Sequence, residues 1–259
     1  MLSLDISPVI LKIGFIQVTY YSLVYVLGFL VSLFVLLRAS RKKAVEINEG
    51  QVYDIIFLSA LGLIIGARLF HIVFWDLEYF SNNLGEIPKI WLGGLSFHGG
   101  LLGLVLSMYI YTKIKKINFL RLADILVLPA IFFLALGRIA NFINQEIVGT
   151  ATNFKFCYLF QGYSECRHAV QLYASLGRFI LFGFLLYTKK KLGEFKEGFL
   201  FLLFLVLISI GRFSLDFFRE GDKYYGLLTG QWLSIVVFMT AMFVLLRYYR
   251  GDVNMFILH

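Results

Sequence analysis

The chain has 259 residues, 59% of them hydrophobic, 18% aromatic and 15% charged, with a mean hydropathy of +0.80. Soluble domains carry about 25% charged residues, so the composition excludes a water-soluble protein and indicates an integral membrane one. Three prolines argue against disorder, and two cysteines are too few for a disulfide framework or a four-thiolate zinc site.

Apolar windows of the length that crosses a bilayer lie at residues 18–37, 52–75, 97–112, 125–143, 169–187, 199–218 and 227–246. They predict an all-α integral membrane protein of seven spans, a single polytopic domain over residues 1–259. No internal repeat is visible. The segment before the first window carries only Asp5 and Lys12, with no basic run ahead of it and no small-x-small site behind it, so that window is expected to be a retained span. Asp54 and Asp124 open the second and fourth windows and are expected to favour the positive ends of their own helices.

The formal net charge of +8 is explained by where the basic residues fall. Fourteen lie after windows one, three, five and seven, at Arg38 to Lys43, Lys113 to Arg121, Lys189 to Lys196, and Arg247 with Arg250. Six lie on the opposite side: Lys12, Lys89, Lys155, Arg167, Arg219 and Lys223. Cytoplasmic loops hold the denser positive charge, which predicts a periplasmic N-terminus and a cytoplasmic C-terminus. The excess charge is then a topology signal and argues against nucleic-acid binding.

Four arginines, Arg68, Arg138, Arg178 and Arg212, fall inside the windows. An intramembrane Arg costs about 2.5 kcal/mol or more, so it pairs, lines a cavity or reaches outward. Arg68 lies about 10 Å from the outer end of its span at the helical rise and is short enough of it to snorkel. Arg178 has no carboxylate in its own span, and pairing with Asp216 weighs equally with a functional role. Arg138 and Arg212 have company: Asn141, Asn144, Gln145 and Glu146 follow the first, Asp216 and Arg219 the second. Positions 138, 141 and 145 share a helix face, as do 212, 216 and 219. Polar groups in this number exceed what glue between helices needs, and they predict a polar site in the outer half of the bundle.

The glycine-framed run from Gly93 to Gly100 brings His98 to the outer entrance of the third span. Its glycines, Gly99 among them, admit a ligand or another backbone. Tyr20 and Tyr21 begin span one in the interfacial aromatic position. The outer loop 144–168 holds Cys157 and Cys166, which outside the cytoplasm either oxidise to a disulfide or are incidental. The four histidines, His71, His98, His168 and His259, lie too far apart in sequence for a recognisable metal motif. Paired guanidinium forks in an apolar enclosure suit a phosphate, and in an outer leaflet that phosphate is a phospholipid headgroup. His98 and Glu146 add proton carriers.

The run Gly137-Arg138-Ile139-Ala140-Asn141-Phe142-Ile143-Asn144-Gln145-Glu146-Ile147-Val148-Gly149 resembles the signature of the bacterial prolipoprotein diacylglyceryl transferases. Gly94 to Gly100, Tyr21 to Tyr25, Gly66-Ala67-Arg68, Arg167-His168 with Gln171-Leu172-Tyr173, Arg212 with Phe217-Phe218-Arg219, and Gly230-Gln231 resemble the family's other motifs, in order along nearly the whole chain. The resemblance implies seven spans with the N-terminus outside, in a bacterial cytoplasmic (inner) membrane. It implies transfer of the diacylglyceryl group of phosphatidylglycerol to the lipobox cysteine thiol of a prolipoprotein signal peptide, releasing glycerol phosphate, with no cofactor and no metal. It assigns Arg138 and Arg212 to the phosphate, and Asn141, Glu146 and Gly149 to the headgroup pocket. A thiol attacks as thiolate, and His98 is the candidate base; Tyr21 positions lipid or peptide. Asn144, Gly99, Arg68 and Asp216 complete the expected substrate-binding set. The chain departs from the family pattern at Asp216 for Glu, Ile208 for Tyr, Ala169-Val170 for Pro-Ser and Thr150 for Arg. The rival readings are another phospholipid-headgroup transferase, which shares the chamber but not the signature, and a transporter, which calls for polar residues through the full membrane depth.

Overall fold

The computed structural model describes residues 2–3, 6–14 and 16–258; Asp5 and His259 lie outside them. In chain order the elements are β1 (Leu2–Ser3), β2 (Val9–Ile13), β3 (Ile16–Thr19), α1 (Tyr20–Arg41), α2 (Glu49–Phe74), α3 (Leu77–Asn82), α4 (Phe97–Lys115) and α5 (Phe119–Ile143). Then follow β4 (Tyr158–Leu159), α6 (Val170–Leu192), α7 (Phe199–Leu215), β5 (Lys223–Tyr224), β6 (Leu227–Leu228), α8 (Thr229–Tyr248) and α9 (Arg250–Leu258).

A helix covers each of the seven apolar windows. Six are long and apolar enough to cross a membrane: α1, α2, α5, α6, α7 with its continuing turn to Phe218, and α8. The protein is therefore a multi-pass helical membrane protein. The window at 97–112 yields the 19-residue α4, with His98 and three glycines, Gly99, Gly100 and Gly103, in its first half; it is not among the six. Strictly all-α is corrected by three small sheets among the described residues: β1 with β4, the hairpin β2–β3, and β5 with β6. They lie in the segment before α1 and in the loops between helices, where backbone groups outside the helices still need partners.

The chain forms two compact units, residues 1–28 with 123–259, and residues 29–122. In the first unit, Val127 and Ile131 of α5, Leu185 of α6, Phe199, Leu200 and Val206 of α7, and Ala241 and Leu245 of α8 make a continuous buried core. Asp124 is buried at its edge, and its carboxylate accepts the backbone N–H of Gly198 at 2.6 Å and of Phe201 at 2.8 Å. It thus caps α7, not the α5 start that the sequence suggested. A carboxylate at a positive helix end is still the physics, but the helix served is remote in sequence.

The second unit is built on backbone contact between α2 and α4. A side chain at Gly66 would strike the Gly99 carbonyl oxygen and the backbone of Gly103, and one at Gly103 would strike the Gly62 carbonyl. Small residues four apart let two membrane helices approach closely, where dispersion replaces the missing hydrophobic drive. Asp54 reinforces the pair by accepting the Tyr111 hydroxyl at 2.7 Å. That corrects its expected capping role: α2 is capped by Asn48, which accepts the Gln51 N–H at 2.8 Å while the Gln51 side chain accepts the Asn48 N–H.

Large apolar side chains on the outer surfaces, such as Phe34, Phe57, Ile180 and Phe243, are exposed, as suits helices whose solvent is lipid. Gly66→Ala is expected to destabilise the protein by about 1–3 kcal/mol through overpacking, read as a lower thermal midpoint in detergent. Gly85→Ala, with nothing near its added methyl group, should leave the midpoint unchanged.

Candidate active site

The polar site of the first unit begins where α5 ends. The helix stops at Ile143, two residues before Gln145, so Gln145 does not share the face of Arg138 and Asn141. Gln145 and Ile147 take left-handed φ values of 56° and 58°, folding the chain back on the helix end. Gln145 then turns away and accepts the Gln161 N–H at 2.7 Å. The fold-back carries Glu146 to Asn141: the Asn141 amide donates to Oε2 at 2.9 Å, the Asn144 amide donates to Oε1 at 3.1 Å, and the Glu146 N–H donates to the Asn141 carbonyl at 3.0 Å. Asn141 in turn lies 3.4 Å from an Arg138 nitrogen. Asn141, Asn144 and Glu146 thereby form one hydrogen-bonded cap beside a guanidinium.

Gly149 shows why that run ends in glycine. Its N–H donates to the His168 carbonyl at 3.2 Å, and a side chain there would meet both that oxygen and the Phe218 carbonyl. Arg167 closes the same corner, donating to the Gly149 carbonyl at 2.9 Å, pairing with Glu220 at 2.6 Å and stacking 3.9 Å from the Tyr163 ring centre. Cys157 and Cys166 in this loop are joined as a disulfide, which decides the alternative that spacing left open.

From α7 and its continuing turn come Arg212, Asp216 and Arg219. Asp216 is buried, 3.8 Å from Arg212 through one oxygen and 3.8 Å from Arg219 through the other. Gly230 at the start of α8 makes room for them: a side chain there would collide with the Asp216 carboxylate and the Arg212 guanidinium. Arg178 of α6 does not take the Asp216 pairing weighed for it; it donates to the Ala174 carbonyl at 2.8 Å, and its buried Nε has no hydrogen-bond acceptor.

Two cavities meet here. A small one, about 30 Å³, is lined by Arg138, Arg178, Arg212, Arg219, Asp216 and Gln171 with a few apolar residues. The larger, about 290 Å³, runs between α6 and α7 and is otherwise apolar, with Ile180, Leu181, Phe184 and Leu207 in its wall. Arg178 and Arg212 line both. Such an arrangement can hold an anion at its polar end with hydrocarbon alongside. Tyr21 stands on α1 with its hydroxyl 3.3 Å from that of Tyr25, within electrostatic reach of Arg138.

Arg68, Gly99 and His98 belong to the second unit. Arg68 lines neither of these two cavities: it is buried, and donates to the carbonyls of Glu86, Ile87, Gly93 and Gly94 at 2.7 to 3.1 Å, with Phe80 beneath it at 4.6 Å. Gly94, at φ 72°, is the one residue type that fits there, since a side chain would hit Arg68 and His71. Nearby, hydrogen bonds from Tyr79 and then Lys89 hold the Glu86 carboxyl below the usual carboxylate range. Gly99 is occupied by α2, with Gly66 and Phe70 against it, so the close approach expected there is by backbone and not by ligand. His98 lies exposed in the first turn of α4, edge-on to Phe97 at 5.8 Å.

Sequence reasoning quoted Gln171 in a family motif but gave it no role, whereas it is 1% exposed and donates to the Glu146 carbonyl; it missed the convergence of Arg178 with Arg138 and Arg212. The signal for Arg178 was present: a mid-span charge with no partner in its own helix. Glu146→Gln sets an amide against two amide donors; it should cost about 1–3 kcal/mol from the donor left unpaired, read as a lower thermal midpoint and faster amide exchange over residues 144–149.

A family profile described as prolipoprotein diacylglyceryl transferase matches residues 8–247. A protein named phosphatidylglycerol–prolipoprotein diacylglyceryl transferase from Geobacter sulfurreducens is 37% identical over 244 residues, covering 92% of this chain and 93% of its own. Proteins of the same name from Rickettsia canadensis and Pasteurella multocida are 38% and 35% identical, covering 89% and 93% of this chain and 92% and 89% of their own.

Proposed function

The chain belongs to the prolipoprotein diacylglyceryl transferase family, and from that footing we propose how its residues carry out the transfer. It is a transferase that moves the diacylglyceryl group of phosphatidylglycerol to a prolipoprotein, the first step of lipoprotein maturation. The accepting group is the thiol of the lipobox cysteine. Its thiolate sulfur attacks the glyceryl carbon that bears the phosphate, the S–C bond forms as the C–O bond breaks, and the electron pair stays on the phosphate oxygen. A phosphodiester with one negative charge thus leaves as glycerol phosphate with two, and the thiol proton passes to a base.

The observation that carries this reading is the cavity in which Arg138 and Arg212 stand among arginines around the carboxylate of Asp216, opening beside an apolar cleft. Fork-shaped donors that remain charged hold phosphate oxygens in the ground state and stabilise the charge that develops on departure. Asn141, Asn144 and Glu146 form the cap that orients Arg138 from one side, and Gly149 lets that cap seat against the 168 and 218 backbones. Asp216 orients Arg212 and offsets part of the mutual repulsion of the arginines. Tyr21 positions lipid or peptide beside Arg138. His98 is the base for the thiol. Arg68 and Gly99 act at one remove, by holding the loop and helix that present His98.

The distribution of basic residues supports seven spans, α4 included, with the N-terminus outside a bacterial inner membrane and the polar site in its outer half. A disulfide in the loop 144–168 agrees with an oxidising face. Residues 1–259 then act as one polytopic domain.

Incubated in phosphatidylglycerol nanodiscs with a lipobox peptide, the purified protein should add one diacylglyceryl mass to the peptide. Peptide with Cys→Ser should gain none; a shift that survives that change would refute thiol transfer. Arg138→Lys and Arg212→Lys should each lower turnover about tenfold or more, because a point charge does not reproduce the fork; full activity in both would remove their phosphate role. His98→Gln should cost on the order of a hundredfold if it is the base, and near-normal rates from pH 6 to 9 would assign the base elsewhere.

A further inference from the structure

Arg178 has no role in the transfer described above, yet its setting is unusual. It is the mid-helix charge of α6, it makes one hydrogen bond, to the carbonyl one turn back in its own helix, and its Nε is buried with no acceptor. A guanidinium left short of acceptors inside an apolar bundle is costly. Arg68, in the same protein, shows the alternative: four of its five N–H donors meet backbone carbonyls.

Position makes the shortage informative. Ala174, Arg178, Arg212 and Leu215 line both the apolar cleft and the polar cavity. Arg178 and Arg212 are the two charged side chains at that junction. In phosphatidylglycerol the corresponding junction, between hydrocarbon-bearing glyceryl and phosphate, is the bond that breaks. Among the described residues the polar cavity is lined by four arginines against one aspartate, a surplus of three positive charges where the bound lipid supplies one negative charge. The surplus fits the moment of transfer, when the thiolate's charge and the phosphodiester's are both present and then reside together on the leaving phosphate.

We propose that Arg178 is a further catalytic residue: with Arg212 it contacts the leaving phosphate at the scissile C–O bond and stabilises the second negative charge gained as that bond breaks. The inference rests on the transfer reading given above. It makes Arg178 a group whose interaction strengthens in the transition state, so its loss falls on kcat more than on the binding of lipid.

The test compares Arg178→Gln and Arg178→Lys with the unmodified protein in nanodiscs of varied phosphatidylglycerol content. Two soluble probes accompany it: glycerol phosphate, a dianionic monoester, and glycerophosphoglycerol, the monoanionic deacylated headgroup. Arg178→Gln should lower kcat about tenfold with KM for the lipid within about twofold, as removal of one charge-assisted hydrogen bond predicts. It should weaken inhibition by glycerol phosphate about tenfold and inhibition by glycerophosphoglycerol about twofold or less. Arg178→Lys should fall between. A role confined to packing would shift the thermal midpoint and leave the ratio of the two inhibition constants unchanged, and that outcome overturns the proposal. So does unchanged kcat in Arg178→Gln. If the unmodified protein transfers nothing to the peptide, the parent reading fails; if it transfers and Arg178→Gln matches it, only the assignment of Arg178 fails.

Discussion

Like charges confined in an apolar enclosure repel, and the first unit gathers Arg138, Arg178, Arg212 and Arg219 around one small cavity with Asp216 as the sole lining carboxylate among the described residues. The surrounding structure is organised to hold that arrangement. Asp216 divides its two oxygens between Arg212 and Arg219, and Gly230 removes the side chain that would displace them. The cap of Asn141, Asn144 and Glu146 steadies Arg138 without placing another carboxylate in the cavity lining. What remains uncompensated is positive, and an anion brought in with the substrate offsets it.

Arginines therefore serve two physical purposes in one chain. Arg68 is a structural bolt: its donors meet carbonyls from four residues of the loop after α3, and the loop is held by them. Arg178 is left short of acceptors beside a cleft, with Arg212 next to it. Arg68 is buried and meets four acceptors, whereas Arg178 is half-buried beside the cleft and meets one.

Helix positions were legible in sequence because lipid imposes a simple condition, about 20 apolar residues per crossing, and the seven windows all became helices. The α5 signature was legible as chemistry, since Arg, Asn and Glu have no reason to crowd an apolar span otherwise. Its geometry was not, because the turn through left-handed Gln145 and Ile147 breaks the helical spacing on which a shared face was inferred. The partners of Asp124 and Asp54 were also hidden: each carboxylate satisfies donors 57 to 77 residues away, beyond any local pattern.

The sequence by itself determined the medium, the helices and the family, because composition, periodicity and ordered motifs are properties of a chain read in one dimension. It also identified Arg138 and Arg212, whose neighbours announce them. Tertiary structure alone decided that Gly99 serves helix contact, that Arg68 is spent on carbonyls, that Cys157 and Cys166 are joined, and that Arg178 converges with the other arginines. Those outcomes depend on which donors find acceptors across the fold, and only the packed backbone sets those distances.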